Sequence, residues 1–331
     1  CGRTAELICR ITGGDDGMQE KNIIRHAGAE DEMKIRNLWK ECFPGDGDEF
    51  IEYYFRERTE PENALIVCDS TSVISMLQAI PMRFMLRGSA GEGDSVIPVR
   101  FIAGVGTGTE HRGRGLTKKL LAAACSETPG EALMLSPANE KYYISSGFVT
   151  CSHRVMHRVS RDEFIKGYTD ISAEGASEPT AGELLRIYNG FMGVVEGKDF
   201  APKPKKTLFA LRDEESFTAI LKEFSLPDTV KKANSGAYAL GYREEDGIRF
   251  NEFAYTSEEK AIELILSLFA EADTLIIPLP QGDELLGDDG ETEPQNMLCL
   301  NGGSIAGFDS AASYTEAVKK CGIVPYSFEL Y

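Results

Sequence analysis

The stretch Val99–Ala124, VRFIAGVGTGTEHRGRGLTKKLLAAA, constrains the fold of this chain more than any other. The apolar and small residues from Val99 to Val105 suit a buried strand, and a glycine-rich polar turn follows them. A helix comes next, with Leu116, Leu120, Leu121 and Ala124 on one face and Lys118 and Lys119 on the other. Between strand and helix stands Arg112-Gly113-Arg114-Gly115. Glycines there let backbone N–H groups approach a ligand, and the helix N-terminus adds partial positive charge. Together they predict a nest for a phosphate or pyrophosphate, with two arginines as charge-assisted donors.

Three phosphate-binding motifs compete for this turn, beside the plain alternative of a glycine-rich connection. A GxxxxGK[ST] loop nearly fits Gly108 to Gly115, but Arg114 stands for the lysine and Gly115 for the hydroxyl that would hold Mg²⁺. A GxGxxG fingerprint fails because Gly104 and Gly106 are followed by Thr109 where the third glycine belongs. The run Arg112-Gly113-Arg114-Gly115-Leu116-Thr117 resembles the R-x-x-G-x-G/A signature of GNAT-superfamily N-acetyltransferases. In that family the signature cradles the pyrophosphate of acetyl-coenzyme A. Thr117 departs from it, being larger than the Gly or Ala at that place.

A second motif strengthens the resemblance. Members commonly carry a tyrosine four residues before a Gly-Phe pair, and Tyr143 precedes Gly147-Phe148 by that spacing. Around the two motifs the periodicity predicts strands at Asn22–His26, Ala64–Cys68, Val73–Leu86, Ala132–Leu135 and Val149–Val159. A helix bearing Ile35, Leu38, Trp39 and Cys42 precedes Pro44. This is the order of elements that a GNAT fold requires, a mixed twisted sheet flanked by helices in the α/β (α+β) class.

The resemblance implies roles for particular residues. Tyr143 would be the acid that protonates the departing thiolate, with Tyr142 as its rival. Val105 and Thr107 would bind the pantetheine arm and polarise the thioester through backbone groups, and residues 112–117 would hold the pyrophosphate. Acetyl-CoA is the implied co-substrate, without a metal, and the acceptor is a primary amine of a small cationic molecule or a lysine. His111, inside the turn, is expected at the surface or behind the site. A non-catalytic acyl-CoA-binding regulatory protein is the alternative, and a nucleotide-binding protein is the outsider.

The second half predicts helices at Ala181–Met192 and Glu214–Phe224, and a hairpin of Ala237–Tyr242 with Ile248–Tyr255. Thr256 with Glu259 reads as a capping box for a helix through Ala270, and Thr274–Leu279 as a strand. The order repeats the first half without its glycine-rich turn. Glu258 and Glu259 stand where a pyrophosphate would bind and would repel it. Residues 160–296 are therefore expected to form a degenerate GNAT-like domain after a catalytic domain at 18–159 and a poorly packed leader at 1–17. This tandem arrangement resembles acetyltransferases of the enhanced-intracellular-survival type, in which the C-terminal carboxylate acts as general base. Here that would be Tyr331, at the apolar and aromatic end (322–331) of a segment, 297–331, that follows the acidic loop Gly282–Gln295 and either reaches the active site or packs on the second domain. If it does not reach the site, Asp46, Asp48 and Glu49 are the next candidates for the base.

At 331 residues the chain is long enough for two cores. A net charge of −18 disfavours nucleic acid and anionic membrane as partners and is compatible with a cationic substrate. The eight scattered cysteines form no CxxC pair and no zinc-like spacing with the four histidines. They read as thiols of a reducing compartment, hence the cytoplasm. No apolar run reaches the length of a membrane span. A homo-oligomer stays open.

Overall fold

The computed structural model of the chain describes residues 7–11, 22–69, 71–87, 95–128, 131–172, 175–193, 207–287 and 289–300. The first half runs β1 (Leu7–Ile11), β2 (Asn22–His26), α1 (Glu32–Cys42), α2 (Asp48–Glu57), β3 (Ala64–Cys68), β4 (Val73–Arg87) and β5 (Ser95–Thr107). It continues with α3 (Leu116–Glu127), β6 (Ala132–Leu135), α4 (Lys141–Ile144) and β7 (Val149–Ser160). The second half holds α5 (Arg161–Gly167), α6 (Ala181–Phe191), β8 (Thr207–Ala210), α7 (Glu214–Glu223), β9 (Thr229–Ala233) and β10 (Ala237–Glu244). It ends with β11 (Gly247–Tyr255), α8 (Glu258–Leu268), β12 (Thr274–Pro280) and β13 (Glu291–Leu300).

The strands among the described residues join in one mixed sheet, in the order β1-β2-β3-β4-β5-β6-β13-β7-β12-β11-β10-β9, with β8 beside β4. Its parallel pairs are β5–β6 and β11–β12. No helix among the described residues is long and apolar enough to cross a membrane.

Helices cover both faces because each carries an apolar stripe at helical spacing. Leu116, Leu120, Leu121 and Ala124 of α3 are buried against Leu77, Ile102, Leu133 and Phe148. On the opposite face Ile35, Leu38 and Trp39 of α1 pack with Tyr53 and Tyr54 of α2 and with Ile66 and Met76 of the sheet. The second half repeats the plan. There α8 buries Leu264 and Ile265 on Phe250, Leu275 and Ile277, and α6 and α7 pack on Tyr238 and Leu240.

Four expectations need correction. Leu7–Ile11, inside the expected leader, forms β1 and pairs antiparallel with β2, whose outer edge offers unpaired backbone groups. The acidic stretch read as a loop through Gln295 becomes strand from Glu291, because Arg154 and Arg249 pair with Glu293 at 3.1 Å each. The cap of α8 is Ser257, whose side chain accepts from Lys260 N, whereas the Thr256 hydroxyl donates to Gly236 O at 3.0 Å. The expected boundary at 296/297 falls inside β13, which inserts between β6 and β7.

Candidate active site

The site begins with an irregularity in β5. Across the β4–β5 ladder, Met76 faces Gly106 and Gln78 faces Ala103, so Leu77 alone opposes both Gly104 and Val105. This is a β-bulge, and Gly104 adopts φ +56° within it. Only glycine fits: a Cβ there would lie 2.4 Å from the Trp39 ring of α1. The bulge turns the strand away from its parallel neighbour. Pairing with β6 runs Val99↔Ala132, Arg100↔Leu133 and Phe101↔Met134, and no later pair forms among the described residues. From Ile102 to Thr107 the β6-facing backbone therefore borders a V-shaped opening. Val105 and Thr107 both lie along it, half-buried.

At the wide end of the V the turn reaches α3. Gly113 and Gly115 have φ +75° and +69°, and a Cβ at either would meet nothing within 4 Å. Gly115 is the N-cap of α3, and the first turn of that helix carries no acid. Its amides thus present an uncluttered, electropositive end to an anion. Leu116 contributes only backbone, because its side chain is buried in the core under α3. The two arginines secure the loop itself: Arg112 Nε donates to Thr107 O and Arg114 Nη2 to Glu110 O, each at 3.1 Å. Glu41 holds the turn from outside, accepting from Thr109 N at 2.6 Å, and that bond keeps its carboxyl below the ordinary range. His111 sits in the same turn with its Nδ1 buried and unbonded among the described residues.

Thr117, the departure from the signature, turns away from the nest. Its hydroxyl meets Thr107 Oγ1 at 3.2 Å, Thr107 Oγ1 meets Ser75 Oγ at 2.8 Å, and Ser75 Oγ donates to Gly106 O at 3.0 Å. This chain of hydroxyls joins α3 to the last residues of β5. Ser75 carried no signal in the sequence, since its part depends on a pairing between strands.

Tyr143 lies on α4, half-buried, with its ring edge-on to Phe148 at 6.0 Å between centroids. Burial raises its phenol above the ordinary value, so it stays protonated at neutral pH. Its neighbour Tyr142 is 73% exposed. Spacing left a choice between the two, and they differ in burial.

Of the acids on the α1–α2 corner, Asp46 accepts from Trp39 Nε1 at 2.7 Å and burial pushes its carboxyl up. Trp39 is the residue seated on Gly104, which ties this acid to the bulge. Asp48 is exposed and pairs with Lys40 at 2.6 Å, and Glu49 is exposed. Tyr331 lies outside the described residues.

The second half has a parallel strand pair in the corresponding place. The parallel pair β11–β12 also parts early, after Ile248↔Leu275 and Arg249↔Ile276. Leu285, from the loop after β12, belongs to the same buried cluster as Phe253 and Leu279. The Tyr255 hydroxyl donates to both carboxylate oxygens of Asp283, at 2.7 and 2.8 Å. Glu258 and Glu259 occupy the first turn of α8.

Residues 23–151 match the acetyltransferase (GNAT) domain family. No curated protein matches the chain. Among solved structures it is similar to a GCN5-related N-acetyltransferase from Kribbella flavida, at 15% identity and a TM-score of 0.63, over 84% of this chain and 71% of that one. Eis1 from Mycobacterium abscessus is similar at 14% identity and a TM-score of 0.56, over 84% and 73%. N-myristoyltransferase from Saccharomyces cerevisiae with bound myristoyl-CoA is similar at 11% identity and a TM-score of 0.55, over 98% and 94%. Residues 23–151 are thus an acetyltransferase (GNAT) domain, and the chain as a whole shares its fold with GNAT acetyltransferases.

Proposed function

We propose that this protein moves an acetyl group from acetyl-CoA to a primary amine of a small cationic molecule or a lysine side chain. The observation that carries the reading is the continuity of the V and the nest. The part of β5 that no longer pairs with β6 leads from the bulge directly to an acid-free helix N-terminus. The amides of Gly113 to Thr117 receive the pyrophosphate, and the backbone of Val105 and Thr107 aligns the pantetheine arm. Acetyl-CoA supplies the activated acyl group; the protein's part is to hold it beside the amine and to aim N–H groups at the thioester oxygen. Tyr143 donates its proton to the sulfur as the thiolate leaves. The yeast neighbour holds a long-chain acyl-CoA on a related fold, which supports a donor of this class. The likeness to Eis1 from Mycobacterium abscessus supports a tandem arrangement of the fold.

Thermal stabilisation tests the donor. CoA at about a hundredfold excess over its dissociation constant should add roughly 2.7 kcal/mol of stability. Gly115→Asp should abolish that gain, whereas Gly115→Asn should keep most of it. Both side chains tolerate the left-handed conformation at this position, so their difference isolates the charge placed in the nest. Stabilisation by ATP with Mg²⁺ and not by CoA would overturn the assignment.

Because Glu258 and Glu259 stand at the N-terminus of α8, where a pyrophosphate would bind, calorimetry should find one CoA per chain. Two would show that the α8 acids do not exclude it.

A further inference from the structure

Gln78 stands at the middle of β4, 1% exposed, and its Oε1 has no hydrogen-bond partner among the described residues. Its cross-strand neighbours are Ala64 on β3 and Ala103 on β5, and along its own strand the same face carries Met76 and Ile80. Every residue around it in the sheet is apolar. Buried amides are nearly always bonded, and an unsatisfied one costs about 1–3 kcal/mol. Elsewhere in the sheet buried Asn296 donates to Ser152 Oγ at 3.2 Å, and the other buried amide residue with an unbonded oxygen among the described residues, Gln295, lies on β13, away from the bulge. A leucine or methionine would serve the packing at position 78 better than glutamine does.

The position of Gln78 supplies the reason. Ala103, its partner across the ladder, is the last residue before the bulge, so Gln78 flanks the point where β5 leaves β6. The neighbouring Ala64 and Met76 belong to the core beneath Trp39, on the α1–α2 face, whereas Leu77 points to α3. Tyr143 packs on the α3 side. A thiol that departs toward Tyr143 leaves the opposite face for the incoming nucleophile, and Gln78 is the polar group there.

We propose that Gln78 is an acceptor-binding residue: its side-chain oxygen accepts a hydrogen bond from the acceptor nitrogen and holds it facing the thioester. The inference rests on the acetyl-transfer reading and adds to it a named contact with the amine. An ammonium or amine supplies the missing donor, and the amide oxygen attracts it without a full charge.

The test uses the full chain, acetyl-CoA, and lysine methyl ester and 1,5-diaminopentane as amine probes. Gln78→Leu should lower kcat/KM for the amines about tenfold or more, the value of one hydrogen bond to a charged group. The KM for acetyl-CoA should not change, and the thermal midpoint of the free protein should hold or rise. Gln78→Met should behave alike. Unchanged amine kinetics would overturn the proposal. So would a lower midpoint with amine and acetyl-CoA parameters falling together, since that marks a residue that only supports the fold. If the wild-type protein binds CoA but neither amine turns over, nitrogen NMR of the Gln78 side-chain amide decides: no change on adding either amine defeats Gln78 alone. Failure to bind CoA at all defeats the acetyl-transfer reading, and this inference with it.

Discussion

Tyr143→Phe is expected to reduce acetyl transfer by roughly 10²-fold or more, the usual span for a general acid, with CoA binding intact. The substitution removes one hydroxyl and keeps the ring edge-on to Phe148, so the fold and the nest are undisturbed. A free thiol has an ordinary pKa near ~8.5 and a tyrosine near ~10, so the phenol can protect the leaving sulfur from building full negative charge. Burial raises the Tyr143 phenol further. The acid form is the active one, so this group should limit the rate only on the alkaline side, as pH rises through the raised value. A pH–rate profile from 6 to about 10.5 should lose its alkaline limb in the variant. Tyr142→Phe is the control. That ring is exposed, and a larger loss there would transfer the acid role.

A second large effect is expected far from the chemistry. Arg212 Nη1 donates to both oxygens of Glu252 at 3.0 and 3.1 Å, with the two side chains 5% and 3% exposed. Tyr238 donates to the same carboxylate, and the guanidinium lies over Tyr188 at 4.9 Å and Phe217 at 5.2 Å. Glu252→Leu would leave the buried guanidinium without its counter-charge, a loss of about 3–5 kcal/mol. Arg212→Met with Glu252→Leu removes both charges together and should recover most of that loss, because apolar replacements of a buried pair are often neutral. Denaturant melts of the two variants measure the difference. A double variant as unstable as the single one would show that the pair does more than neutralise itself. Arg212 stands two residues after β8, which pairs with β4, so this network helps bind the second half to the strand that carries Gln78.

What could be read from the sequence was local. The faces of α3 follow from the spacing of Leu116, Leu120, Leu121 and Ala124, and all four are buried as that spacing requires. The nest follows from Gly113 and Gly115, whose conformations only a short stretch of chain decides. The bulge did not show, because Gly104 reads as one small residue in a strand until Trp39 is placed on it. Nor did β13. A run with Glu291, Glu293 and Pro294 looks like solvent-exposed loop. Its carboxylate is matched by arginines well over a hundred residues and some forty residues earlier, and its proline falls at a register shift of the ladder. The cap of α8 was misplaced by one residue because Thr256 and Ser257 are chemically alike, and only the approach of Gly236 separates them. Gln78 left no trace in the sequence at all, since its meaning lies in neighbours that provide no polar atom.

The insertion of β13 between β6 and β7 has a consequence for how the protein is made. The two strands that flank the nest and Tyr143 do not touch each other; Leu300, Cys299, Leu298 and Met297 join them on one side, and Glu291 to Leu298 on the other. At roughly 5–20 residues per second, the stretch from residue 160 to residue 300 takes on the order of ten seconds to emerge from a ribosome. Throughout that interval the nascent acetyltransferase half exposes two unpaired strand edges and a core still missing Met297 and Cys299. A gene fragment ending near residue 160 would hold the chain permanently in that state, so the nest-bearing half cannot be lifted out as a freestanding unit.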